Sequence, residues 1–404
     1  MKDATPTGLI LSGGGARAAY QIGVLKAIAQ IRRQAGQIRG PNPFKVISGT
    51  SAGAINGAAL AAGADNFDHV VSRLVDVWEH FRAEQVYRAD SLGIISSGAK
   101  WLSMMSIGWM FARWRKAMPH SLLDNRPLYG LLRELVPLER IPGLLAEGHL
   151  QALAVTASSY SSGLHVTFYE CAKDTPPWQR SQRISVRDRI THSHLLASSA
   201  IPFVFPAEEL LLEGDPEYFG DGSMRQVAPV SPGIHLGARR LLVIGAGRMH
   251  EPREGRRVVG GYPSVAQIAG HALSNIFLDA LAVDVERLKR INSTLNLMTT
   301  RSLAKTALRP VDLLVIAPSQ RLDEIAGRHI MALPATIRTL LGALGVRGNG
   351  GEGRGSALAS YLLFESSYTR ELIDLGVADT LGRRTEVEAF FGWPPSTSAM
   401  GEVG

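Results

Sequence analysis

Twice before residue 63 the chain passes from a short apolar run through a glycine-rich turn directly into a helical pattern. Residues 8–12 lead through Gly13, Gly14 and Gly15 into a helical stretch at 16–35, which Gly36 closes. Residues 45–49 lead through Thr50 and Ser51 into a helix of small residues at 52–62. A strand that turns on glycine and returns as a helix is the repeating unit of a parallel sheet wrapped by helices. Apolar runs at 153–157, 164–170, 240–246 and 312–317 continue the rhythm. The expected fold is α/β: a mainly parallel central sheet with helices on both faces, plus a helical C-terminal portion. The expected units are a core over 8–230, its completion over 231–320, and a helical region over 321–404 with a Gly-rich loop at 345–355.

Three consecutive glycines carry an entropic cost, so something should require them. N–H groups at a helix N-terminus hold negative charge, either a phosphate or an oxyanion formed during reaction. Gly13, Gly15 and Ala18 match the dinucleotide pattern G-x-G-x-x-A, which also needs an acidic residue about 20 positions later. No Asp or Glu occurs from Ala4 through Ala64. A phosphate-binding Walker loop fails as well, because no Gly-Lys-Ser or Gly-Lys-Thr follows. The second turn, Gly49-Thr50-Ser51-Ala52-Gly53, matches the nucleophile elbow G-x-S-x-G. A turn that sharp needs small flanking residues, and it would expose the Ser51 hydroxyl at a helix N-terminus. The bland alternative is a structural turn with a capping serine. The ordinary α/β-hydrolase order is excluded, since fifty residues holding a long helix leave no room for the strands that precede its nucleophile. A carboxylate taking the serine proton directly remains. The candidate is Asp221, set between Gly220 and Gly222 in Tyr218-Phe219-Gly220-Asp221-Gly222-Ser223; its own bland alternative is a plain Asp-Gly turn.

In these residues the chain resembles the patatin-like phospholipases. Gly13-Gly14-Gly15-Ala16-Arg17 is similar to the family's oxyanion loop, and residues 49–53 to its elbow. Ala197-Ser198-Ser199-Ala200-Ile201-Pro202-Phe203-Val204-Phe205-Pro206 resembles its Ser-rich, Pro-punctuated block, Asp221-Gly222 its catalytic Asp-Gly, and Asp124-Asn125-Arg126-Pro127-Leu128 a segment common in bacterial members. The resemblance implies a three-layer fold and a Ser51–Asp221 dyad without a catalytic histidine. It also implies an oxyanion hole from Gly13, Gly14, Gly15 and Ala16, and hydrolysis of acyl esters of the phospholipase A or lysophospholipase kind. No metal or cofactor is implied. Two positions depart from the family pattern, Ala18 after the loop arginine and Ser223 after Asp-Gly, and neither removes a catalytic group. Arg17 steadies its loop, attracts an anionic head group, or is simply a solvated arginine. The rival readings are a non-lipid carboxylesterase or thioesterase on the same dyad, and a lipid-binding module without turnover.

The rest of the sequence narrows the partners. A hydrophobic fraction of 45% and a charged fraction of 20% exclude bulk disorder, and the single Cys171 excludes an internal disulfide. No apolar run reaches the roughly 18–20 residues that span a bilayer, so the expected location is the cytoplasm, with peripheral contact to the inner membrane face. His235, His250 and His271 follow Asp221, and His192 and His194 precede the Ser-rich block, without metal-ligand spacing. Residues 1–64 hold seven basic residues and one acidic, and residues 91–123 four basic and none acidic, against a net charge of +7 for the whole chain. Trp101, Met104, Met105 and Trp109 share one face of a helical pattern, with Trp114 and basic residues following. That segment suits either a membrane interface or an acyl contact, or else a helix buried on the sheet. Positive charge travelling with Trp and Met points to an anionic lipid surface rather than nucleic acid.

Overall fold

The computed structural model describes residues 5–37, 42–88, 121–249, 265–274, 280–346 and 355–395. The first two runs become strands β1 (Thr7–Leu11) and β2 (Val46–Thr50), each buried at every position. A parallel strand covered on both faces has no solvent side, so it reads as an unbroken run rather than an alternation. Successive residues still point to opposite faces. Leu9, Leu11 and Ile47 enter the larger core cluster, and Ile10 and Val46 the smaller one on the other side of the sheet. Helix α1 (Ala19–Gln34) connects the two strands, and α2 (Ala52–Ala62) leaves β2 directly. Helix α3 (Phe67–Glu79) starts where the Asn66 side chain accepts the His69 N–H, and α4 (Arg126–Leu135) carries Pro127 in its first turn.

The remaining strands are β3 (Ala152–Ser159), β4 (His165–Cys171), β5 (Gln179–Arg180), β6 (Arg183–Arg187), β7 (Glu208–Leu212), β8 (Asp215–Asp221), β9 (Arg240–Ile244) and β10 (Asp312–Ile316). Their order is β10-β9-β1-β2-β3-β4-β6-β5, with β8 pairing β3 and β7 pairing β8. From β10 to β3 all neighbours are parallel, while β4 and β8 run antiparallel to β3. The fold is thus a mixed α/β architecture with a mostly parallel sheet and flanking helices, as the sequence led one to expect. Register is what positions the site. Thr50 lies opposite Thr156, and the next residue of β3, Ala157, lies opposite Asp221. The ends of β2 and β8 therefore meet beside one strand. Helix α5 (His192–Ser199) crosses this point.

Three local features differ from expectation. The first helical stretch opens with a 3-10 turn at Gly15–Ala18 before α1 begins. The strand expected through 246 stops at Ile244, because the Ala246 N–H turns to the Ser12 hydroxyl at 2.9 Å. The hairpin β7–β8, absent from the expected strands, turns on Glu213 and Gly214, both at positive φ, as tight hairpins require.

The C-terminal stretch forms α6 (Ser356–Leu362), α7 (Ser366–Leu381) and a last helix at Arg384–Phe391. Helix α7 buries Tyr368, Leu372 and Ile373 and packs on α1 with no room for side chains at the crossing. A Cβ on Gly23 would overlap the Ile373 carbonyl, and one on Gly376 the Tyr20 carbonyl. Among the described residues no helix is long and apolar enough to cross a membrane.

Candidate active site

Ser51 stands at the junction of β2 and α2 with φ 56° and ψ −133°. A non-glycine residue held there stores roughly 1–3 kcal/mol of strain, which persists only where the surroundings impose it. The surroundings are visible. A Cβ on Gly49 would overlap Gly53 and Ala54, and one on Gly53 would overlap the carbonyls of Leu11 and Ser12. The elbow is therefore clamped between its own helix and the end of β1, which explains the small residues around Ser51.

The Ser51 hydroxyl donates to Asp221 Oδ2 at 2.6 Å. Both residues are buried, Ser51 at 1% exposure and Asp221 at 0%. The other carboxylate oxygen of Asp221 accepts the Ser223 N–H at 2.8 Å. Burial pushes the Asp221 carboxyl up to about 6, against the opposing pull of the Ser51 and Ser223 hydrogen bonds. A Cβ on Gly222 would overlap the Thr156 carbonyl, so the Asp-Gly pair is what lets the carboxylate come this close to β3.

The Ser-rich block joins the two residues, a role its sequence did not reveal. Ser198 Oγ accepts the Ser51 N–H at 2.8 Å, and its carbonyl accepts the Gly222 N–H at 3.1 Å. The Ala200 carbonyl accepts the Asp221 N–H at 3.0 Å. Thr50 Oγ1 lies 2.7 Å from Thr156 Oγ1 and accepts from Gln226 at 2.7 Å.

The glycine loop lies alongside. Gly15, at φ +54°, sits against the Tyr361 backbone, where a Cβ would overlap its carbonyl. Among the described residues the N–H groups of Gly14, Gly15 and Ala16 have no hydrogen-bond acceptor, as at any uncapped helix N-terminus. Arg17 is turned inward, with 3% exposure, and donates to Ser360 Oγ at 2.7 Å. It is held inside the fold rather than offered to an incoming anion. Behind the loop runs a buried polar chain that no local sequence pattern signals. Gln21 donates to the Ser12 carbonyl at 2.7 Å, Asn56 donates to Gln21 at 3.1 Å, and Trp78 donates to Asn56 at 3.0 Å.

Gly15 and Ser51 form part of the wall of a cavity of about 270 Å³. Val70, Leu74 and Trp78 of α3 line it, with Leu128, Leu132 and Leu135 of α4 and the rings of Phe81, Phe205 and Phe364. Exposed Asn66, His69 and Arg73 border it. An apolar cleft with a few convergent polar groups is the usual form of a small-molecule site.

The other candidates lie elsewhere. His192 bonds the Val136 carbonyl, His194 its neighbour Thr191, and His235 stacks on Trp178. No histidine among the described residues bonds Ser51 or Asp221. His165 bonds the Gly222 carbonyl at 3.0 Å, and burial lowers its titration to about 4, so it is neutral there. Cys171 is buried, its thiol donating to the Lys173 carbonyl. No cluster able to hold a metal ion occurs among the described residues. Trp101, Met104, Met105, Trp109 and Trp114 lie outside the described residues, as does most of 345–355.

Comparison with known proteins gives one family. A family model described as patatin-like phospholipase matches residues 9–234. No curated protein matches. Among solved structures the chain is similar to human GIVD cytosolic phospholipase A2, bound to a methyl γ-linolenyl fluorophosphonate, at 13% identity and TM-score 0.41, over 96% of this chain and 59% of that one. It is similar to VipD from Legionella pneumophila at 15% identity and TM-score 0.27, over 92% and 67%. It is also similar to ExoU from Pseudomonas aeruginosa, solved with SpcU, at 16% identity and TM-score 0.25, over 94% and 77%.

Proposed function

Because the chain belongs to the patatin-like phospholipase family, a family of lipid acyl hydrolases, we propose that it cleaves phospholipid or lysophospholipid acyl esters through an acyl-Ser51 intermediate. The observation that carries this proposal is the 2.6 Å hydrogen bond from Ser51 to a fully buried carboxylate beside an apolar cavity. The cavity takes the acyl chain and brings the ester carbonyl over Ser51. Asp221 accepts the hydroxyl proton as Oγ attacks the carbonyl carbon. The negative oxygen that forms is met by the unpaired N–H groups of Gly14, Gly15 and Ala16. Collapse breaks the ester bond, and the leaving alcohol takes the proton from Asp221. Water then gives a proton to Asp221 and attacks the acyl carbon. Ser51 leaves with that proton, and the free fatty acid departs. Every step uses groups of this chain.

Ser51→Ala and Asp221→Asn are each expected to lower kcat/KM by at least about 10³-fold with the fold retained. Lipidomic profiling of products from the wild type and the Ser51→Ala protein is the test. Fatty acid release by the wild type alone supports the proposal. Substantial turnover by the Asp221→Asn protein would remove the dyad. Hydrolysis of short soluble esters with none of phospholipid vesicles would select the non-lipid esterase instead.

A further inference from the structure

Arg17 is the residue that the chemistry above leaves unused. It follows the loop glycines, yet it is buried and held by a segment far away in sequence. Its Nε donates to Ser360 Oγ at 2.7 Å, an Nη to the Ala357 carbonyl at 3.5 Å, and the guanidinium carbon lies 4.1 Å from the centre of the Tyr361 ring. Ser360 in turn donates to the Ala357 carbonyl at 2.6 Å, so its hydroxyl is oriented with a lone pair toward Arg17. Gly15 rests on the Tyr361 backbone carbonyl. Three residues on, Phe364 lines the cavity beside Phe81, with ring centres 5.6 Å apart. One stretch of chain thus touches both the oxyanion loop and the acyl wall.

We propose that residues 356–364 are a positioning element of the active site and that Arg17 is the clasp that holds the oxyanion loop against them. The inference rests on Ser51 being the acyl nucleophile. The physical reason lies in the loop itself. Gly13, Gly14 and Gly15 have the widest backbone freedom of any residues, and oxyanion donors act only when their N–H groups are fixed before the charge forms. The flexible glycines cannot supply that rigidity. A planar guanidinium that stacks on one ring, bonds one hydroxyl and follows the loop immediately can supply it. Arg17 therefore acts through Gly14, Gly15 and Ala16 and touches no substrate.

The test uses the whole chain and a short neutral ester, which has no phosphate for an arginine to bind. Labelling of Ser51 by a fluorophosphonate in the wild type comes first; if it fails, the nucleophile assignment falls, and this inference with it. With labelling in place, Arg17→Gln is expected to lower kcat on the neutral ester by about 10–100-fold at nearly constant KM, since a displaced donor is felt in the transition state. Ser360→Ala, which keeps the charge and removes one bond, should show the same signature at about 3–10-fold, and it serves where Arg17→Gln does not fold. Unchanged kcat on the neutral ester in the folded variants would overturn the proposal. So would a loss confined to KM on anionic phospholipid, which would make Arg17 a head-group contact.

Discussion

At the scale of single residues, the main consequence lies in the Asp221 carboxyl, raised by burial from its ordinary 3.8 to about 6. Only the ionised form can accept the Ser51 proton. The kcat/KM for a soluble ester is therefore expected to rise about tenfold per unit below pH 6 and to level off above it, in a pH–rate profile of the wild type. The same displacement has a thermodynamic face of opposite sign. Between about 4 and 6 the folded state binds more protons at this position than the unfolded state. Stability is then fully present below the unfolded pKa and lost as pH rises through the folded one, by roughly 3 kcal/mol. The difference in melting between wild type and Asp221→Asn, followed from pH 4 to 7, reads it directly, and no change in that difference would exclude the shift. Ser51, Asp221 and the glycines around them were legible in the sequence because sharp turns and close approaches leave few residue choices. Ser198 was not. Its role as acceptor of the Ser51 N–H comes from a long-range packing of α5 that no local pattern encodes.

At the scale of elements, strands with an apolar run were legible, the partly exposed β10 among them, and the β7–β8 hairpin was not. Strands β1, β2 and β9 read as apolar runs because both faces are covered. The β7–β8 hairpin mixes carboxylates, tyrosine and a proline, with exposed and buried positions interleaved, and carries no comparable signal. The pairing of α1 with α7 was equally hidden. Its marks are Gly23 and Gly376, single glycines inside helices, where local rules see only a helix-weakening residue. The structure gives the reason for them, since each faces a carbonyl of the partner helix. Gly376→Ala should gain helix propensity and still lose about 1–3 kcal/mol through the forced separation of the helices, measured by urea unfolding. A stabilised variant would mean that the two helices are less tightly apposed.

At the scale of the whole molecule, the charge arithmetic changes meaning. Part of the positive charge of the N-terminal region is paired or buried by the fold. Lys26 pairs with Glu79 at 2.9 Å, Arg32 with Asp68 at 2.7 Å, and Arg17 lies against Tyr361. The basic residues near Trp101–Trp114 remain the sequence's candidates for attraction to an anionic surface. Raising salt from 0.05 to about 0.5 M, which shortens the screening length to a few ångströms, should weaken sedimentation with anionic vesicles several-fold and leave soluble-ester hydrolysis within about twofold. Equal loss of both, or binding indifferent to salt, would count against a peripheral membrane role. The clasp between Arg17 and Ser360 has one more consequence, and it concerns time. The two residues are 343 positions apart. At roughly 5–20 residues per second of synthesis, Ser360 leaves the ribosome about 20–70 s after Arg17. The growing chain carries Ser51 early, Asp221 midway, and the wall behind its glycine loop last.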